Sequence, residues 1–186
     1  MIPTTNQCFQ MMEKYNMPEH IRAHSTLVAR IAVLIATNLK KTGINISIKK
    51  TVAGALMHDI AKISCIKTHE DHCLKGKEIC ENEGFYEISS IVNEHVVLKH
   101  TIKEDEYNEK EIVNYSDKRV LHDEVVSIND RLKDIIIRYG KKYPHIDKKM
   151  IQKHYQVCEL IEYKLFEKLD FLPQDVPEVL KNISLS

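Results

Sequence analysis

Glycine and proline are scarce, five of each in 186 residues, and so little punctuation leaves most of the chain to long regular elements. No period-two alternation persists for the length of a strand, which excludes a sheet-based fold. Net charge is missing too, because 27 Lys and Arg balance 27 Asp and Glu. A chain without excess charge exerts no long-range pull on extended nucleic acid or on a membrane surface, although a local basic site stays open. The longest apolar run, Ile31 to Ala36, is far short of the ~20 residues that span a bilayer. The five cysteines, Cys8, Cys65, Cys73, Cys80 and Cys158, are odd in number and form no CxxC pair. Neither a zinc ribbon nor a disulfide framework is suggested, and buried reduced thiols are the expectation. No signal peptide is legible, so the expected location is cytoplasmic.

What is present is an ordinary globular composition, 43% hydrophobic and 29% charged, in a length that suits one domain with a proper core. Helical spacing organises it. Pro18 suits a first helical position. From there Ile21, His24, Val28, Ile31, Ile35 and Leu39 step by three or four along one face, and Gly43 supplies a stop. Ser47 caps a second helix running to about Lys62. A polar connection, Ser64 to Asp71, precedes a third helix over about His72 to Glu83, ended by Gly84. A fourth, about Tyr86 to His95, carries Ile88, Ile91, Val92 and His95 on one face. The polar stretch Lys99 to Asn108 reads as a loop. Glu109 to about Val125 reads as a fifth helix, and Ser127 to Tyr139 as a sixth, stopped by Gly140. Pro144 and Asp147 introduce a last long helix, about Lys148 to Leu169. The tail from Pro173 is expected to be loosely ordered. The expectation is an all-α fold of about seven helices: an N-terminal extension over 1–17, the main domain over 18–140, and a C-terminal helix within 141–186 packed on it.

The pair His58-Asp59, in Ala53-Gly-Ala-Leu-Met-His-Asp-Ile-Ala-Lys62, is the most informative feature. A buried polar group without a partner costs about 1–3 kcal/mol. A metal ion satisfies an imidazole and a carboxylate at once. His24 lies in an apolar stripe, where a lone histidine is more often a satisfied core residue than a ligand. Asp117 has Val113 and Val120 on its own face, so it also points inward. Three inward nitrogen and oxygen sets on three helices form a metal cage between helices. A second such dipeptide, His122-Asp123, sits on a charged stretch and reads as an exposed bystander.

The order His24, His58-Asp59, Asp117 resembles the H…HD…D signature of the HD-domain superfamily of metal-dependent phosphohydrolases. Ala55-Leu-Met-His-Asp-Ile-Ala-Lys62 is similar to its ALLHDIGK-type segment, with Ala61 where glycine is common, and Tyr115-Ser-Asp-Lys118 is similar to its terminal YADK segment. Val125 to Gly140 looks like the tail of small HDIG-type members. The resemblance covers about residues 18 to 140. It implies that His24, His58, Asp59 and Asp117 hold one divalent ion. His72 and His95, with Asp59 as bridge, would hold a second; in a one-metal site these two histidines would instead meet substrate phosphate or water. His69 and His100 rank lower, since neither falls on an apolar face. Imidazole and carboxylate ligands suit Fe or Mn first, then Co, Ni or Mg.

The resemblance further implies catalytic roles for Asp59 and Lys62, and phosphate contacts from Lys62, Lys118 and Arg119. The expected reaction is hydrolysis of a phosphoester or phosphoanhydride of a small nucleotide-like substrate by metal-activated water. No HHExxxGxGYP follows His95, so the hallmark of cyclic-di-GMP phosphodiesterases is absent. The plan from His95 to Lys118 is similar to that of HD hydrolases that split diadenosine tetraphosphate symmetrically. A non-catalytic nucleotide- or metal-binding module and a di-iron oxygenase-like protein are the alternatives. The expected partner is the small phosphorylated substrate, with no extended nucleic acid and no membrane; a homodimer is open.

Overall fold

The computed structural model describes residues 1–142 and 148–185 of an all-α chain. Its helices are α1 (Thr5–Lys14), α2 (Glu19–Lys41), α3 (Ile48–Met57), α4 (Lys62–Thr68), α5 (His72–Asn82), α6 (Tyr86–Glu94), α7 (Glu109–Lys118), α8 (Ile128–Lys142), α9 (Lys148–Phe166) and α10 (Val176–Val179). At the centre α2 packs against α3 and α7, and α6 packs against both α3 and α7. Around this core α1 lies on α3, α5 on α6, α9 on α7, and α8 on α9.

Two features of the sequence build that centre. The long α2 is lined by small residues, Ala29, Ala32 and Ala36, among Val28, Ile31, Leu34, Ile35 and Leu39, all buried. Small and large positions alternate, so neighbouring helices interdigitate closely. The other feature is a pair of glycines facing α6. A Cβ at Gly54 of α3 would lie 2.7 Å from Cγ2 of Ile91, and one at Gly76 of α5 would lie 2.7 Å from Cγ1 of Val92. Only hydrogen fits at either position, and α6 is thereby held between α3 and α5.

Several boundaries differ from the sequence expectation, each for a local reason. Pro18 is extended (ψ 151°) and caps α2 from outside. Where a polar connection was expected, Lys62 to Thr68 is helical, because Ile63 and Cys65 give that short segment an apolar side packed on the core. The fifth helix stops at Lys118 instead of running to Val125. A two-residue antiparallel ladder follows, β1 (Val120–Leu121) against β2 (Glu124–Val125), with Val120 opposite Val125. His122 makes the turn at φ 58°. Gly140 does not end α8, which continues to Lys142. The tail is ordered rather than loose: Val176 and Leu180 are buried, and Arg30 of α2 donates to the carbonyls of Leu180 and Ile183 at 2.7 and 3.0 Å. Pro144 and Asp147 lie outside the described residues. All five cysteines are buried and free. Among the described residues no helix is long and apolar enough to cross a membrane.

Candidate metal centre

Six side chains converge where α2, α3, α5, α6 and α7 meet. His24 projects from the second turn of α2, His58 follows the last turn of α3, and Asp59 sits in the bend to α4. His72 opens α5, His95 follows α6, and Asp117 comes from the last turn of α7. His24 Nε2 lies 3.1 Å from Asp117 Oδ1, and His58 Nε2 lies 3.7 Å from the same oxygen. Asp59 divides its two oxygens between the halves of the cluster. Its Oδ2 faces His58 Nε2 at 3.4 Å, and its Oδ1 faces His95 Nε2 at 3.6 Å and His72 Nε2 at 3.7 Å. The last two nitrogens are 3.3 Å apart. All six are buried except His72, which is half-buried.

The backbone aims the imidazoles. Nδ1–H of His58 donates to the Ala55 carbonyl at 2.6 Å, that of His95 to Val92 at 2.7 Å, and that of His24 to His122 at 3.1 Å. The first two acceptors are end-of-helix carbonyls, which lack a partner in the helix itself. Each such bond fixes the tautomer that turns the Nε2 lone pair toward the cluster, as the outer bond of a metal-ligating histidine does.

Buried charge points the same way. Burial would raise the Asp59 carboxyl, but His58 and Lys62 outweigh it and hold the group well below the ordinary range. Asp117 is likewise held well below, against burial, by Lys118 and His24. Burial would lower His58, yet Asp59 and Asp117 push it up. Two buried carboxylates thus call for positive charge at this point. Burial, then the neighbouring His95, pushes His72 down to about 4, and burial lowers His95, so both are neutral bases at pH 7. His58 Nε2 and Asp59 Oδ1 are buried with no hydrogen-bond partner among the described residues. Each such orphan costs about 1–3 kcal/mol, and divalent metal bound in the cluster would satisfy them. The residues fit a metal.

The HD-domain family model matches residues 21–136, a span that includes every one of these ligands. The chain belongs to the HD-domain family. HD domains bind divalent metals and are in general metal-dependent hydrolases. A curated relative, a tRNA (cytidine(56)-2'-O)-methyltransferase of Thermoplasma volcanium, is 33% identical over 96 residues, covering 51% of this chain. The match spans 26% of that relative's length. A solved structure described as a predicted HD superfamily hydrolase, from an uncultured Thermotogales bacterium, is similar at 18% identity and a TM-score of 0.45, over 87% of this chain and 89% of that one.

Around this HD-domain cluster the cations divide into two sets. Lys62 donates to Asp59 Oδ2 at 2.6 Å from the rim of a cavity of about 370 Å³. Lys118 and Arg119, expected on substrate, are both buried and turned elsewhere. Lys118 Nζ bonds Asp117 Oδ2 at 2.7 Å and the His95 carbonyl at 3.1 Å. Arg119 donates to the carbonyls of Val126 (2.6 Å) and Pro173 (2.9 Å), to Glu162 at 3.3 Å and to the Tyr115 hydroxyl. Its guanidinium ties α7 to α9 and the tail.

His69 ends α4 on the exposed surface, and His100 pairs with Glu111 at 3.1 Å, so neither joins the cluster. The His122 side chain is exposed as expected, but its carbonyl, the acceptor for His24, is part of the scaffold. Cys73 Sγ lies 3.7 Å from His72 Nε2, and with His72 and His95 it forms a group whose ligand atoms could hold a metal ion; in the metal-free protein burial pushes its thiol up to about 12. Arg131 and Arg138 of α8 line the same cavity as His24, Asp59 and Lys62 and were missed. Their available signal was the i, i+7 spacing, which places both on one face of a helix.

Proposed function

We propose that this HD domain is a metal-dependent phosphohydrolase that cleaves a phosphoester or phosphoanhydride of a small, nucleotide-like substrate. The observation that carries the reading is the split carboxylate of Asp59. One oxygen faces His58, and the other, buried and unpartnered, faces His72 and His95. His24, His58, Asp59 and Asp117 would hold one ion, and Asp59, His72 and His95 a second, with Fe or Mn the first choice for nitrogen and carboxylate ligands. When bound, such ions lower the pKa of a coordinated water and polarise a phosphoryl oxygen.

The chain's own residues supply the rest. Lys62 fixes Asp59 and stands at the cavity with a positive charge for a phosphoryl oxygen. Lys118 steadies Asp117 from inside, and the carbonyls of Ala55, Val92 and His122 hold three imidazoles with Nε2 toward the cluster. Hydrolysis adds water across the P–O bond: the water oxygen joins phosphorus, and the leaving oxygen takes up a proton.

The test combines elemental analysis of wild type and Asp59→Ala with a panel of phosphate compounds assayed with Fe, Mn, Co or Ni. The expected result is one to two equivalents of metal and turnover in wild type, with both lost in a variant whose helical content is unchanged. A wild-type protein that holds metal and cleaves nothing in the panel overturns the phosphohydrolase reading. One that takes up no metal overturns the centre itself.

A further inference from the structure

We propose that Arg131 and Arg138 of α8 form an anion subsite beside the metal centre that receives a second phosphoryl group, so that the preferred substrate carries at least two linked phosphates. The cleavage part rests on the phosphohydrolase reading; the binding part is measurable without it.

One cavity holds both ends of the argument. His24, Asp59 and Lys62 line it on the side of the cluster, and Arg131 and Arg138 line it from α8. The two arginines share one carboxylate. Asp134 accepts from Arg131 Nη1 at 3.1 Å and from Arg138 Nε at 2.8 Å, with Arg138 Nη2 also bonded to it. A guanidinium carries five N–H donors, so most of the ten go beyond Asp134, and the trio keeps one net positive charge. The Nε–H of Arg131 is buried with no hydrogen-bond partner among the described residues. A buried unpartnered donor is costly.

Burial works against the Lys62 ammonium, but Asp59 and Asp117 outweigh it and push its pKa up, with Arg131 the smallest opposing charge. Three cations, Lys62, Arg131 and Arg138, line the cavity beside two carboxylates, Asp59 and Asp123, and the excess of positive charge favours an anion there. Arg131 and Arg138 are seven residues apart, about 10 Å along a helix axis. The cationic edge therefore extends well past the single phosphoryl group that Lys62 and the cluster would engage. The volume of about 370 Å³ falls within the range of small-molecule sites. Guanidinium forks match pairs of phosphoryl oxygens, a geometry that lysine does not offer.

The experiment is calorimetric titration of the metal-loaded protein with inorganic orthophosphate and with inorganic pyrophosphate, for wild type, Arg138→Gln and Arg131→Gln/Arg138→Gln. Metal content is checked after each run. Wild type is expected to bind pyrophosphate at least about tenfold more tightly than orthophosphate, as two additional charge-assisted contacts require. Both variants should lose much of that margin, the double variant nearly all of it, with orthophosphate affinity and metal content held. Arg138 is half exposed at its side chain (48%), so its variant tests the subsite even if the double variant unfolds. A margin that persists in Arg138→Gln, equal affinities in wild type, or an equal loss for both anions overturns the proposal. A surviving margin in a protein that cleaves nothing refutes the hydrolase reading and leaves the subsite standing. Turnover of simple monoesters without any margin does the reverse.

Discussion

The ammonium of Lys118 lies 2.7 Å from the Oδ2 carboxylate oxygen of Asp117, its neighbour in the chain, while the other oxygen of Asp117 faces His24 at 3.1 Å. The same ammonium reaches the His95 carbonyl, which Asn114 also binds, at 2.8 Å. Under the proposed two-ion reading, Lys118 would be a positioning residue that couples one half of the cluster to the other. Lys118→Met is expected to weaken divalent-metal affinity about 10- to 100-fold, the usual cost of removing an outer partner. Competition against a chelator reads this directly. An affinity equal to wild type in a folded variant would show that Lys118 only offsets buried charge.

Arg119 should behave differently from a substrate contact. Its donors join α7 to Glu162 of α9 and to Pro173 of the tail. Arg119→Met should cost about 3 kcal/mol in urea unfolding, the low end for breaking a buried pair, because Glu162 keeps some exposure. Metal content and turnover per folded molecule should stay at the wild-type level. A KM effect at unchanged stability would restore the substrate role.

Gly54 tests the close approach of α3 to α6. Alanine there places its Cβ 2.7 Å from Ile91 Cγ2 and 3.0 Å from its Cδ1. Overpacking of this kind costs about 1–3 kcal/mol. Metal affinity should fall with it, since His58 and His95 end the two displaced helices. The penalty should shrink in an Ile91→Ala background, as a double-mutant cycle for touching residues requires. An additive cycle would place the strain elsewhere.

Acid sensitivity should have a traceable component at His154. Burial, then the charge of Lys118, pushes it from an ordinary 6.5 down to about 4. The folded pKa is the lower one, so the unfolded chain takes up the proton first as pH falls. His154 therefore costs no stability above about pH 6.5, and stability drains away between 6.5 and 4. His72 adds to the same slope. Melting curves of metal-free wild type and His154→Gln across that window should converge in slope at neutral pH and diverge below it, with the variant flatter. Parallel curves throughout would remove His154 from the account.

The helices and the candidate ligands were largely legible because both rest on spacing. An apolar stripe that repeats every three or four residues can only bury one face, and a histidine or aspartate on that face must find a partner there. His24, His95 and Asp117 show this, and the structure brings them together with His58, Asp59 and His72. The short ladder after Lys118 was not legible, because two residues per strand lie below any period-two signal. The docked tail was missed for a different reason: Val176, Val179, Leu180 and Ile183 lie in a short stretch broken by Pro173 and Pro177, and their burial depends on a surface formed by α2 and its neighbours.

By itself the sequence determined the all-α class, the one-face stripes, and which imidazoles and carboxylates had to point inward. Each follows from local periodicity and from the cost of burying an unpartnered polar group. Only the tertiary structure decided where the long cations go. Lys118 and Arg119 adjoin Asp117 in the chain yet turn into the scaffold, while Arg131 and Arg138, on the next helix, reach the cavity. A lysine or arginine side chain spans several ångströms and meets whichever acceptors the packed helices present. Its destination is therefore set by the arrangement of partners in space, and the spacing of letters carries no record of it.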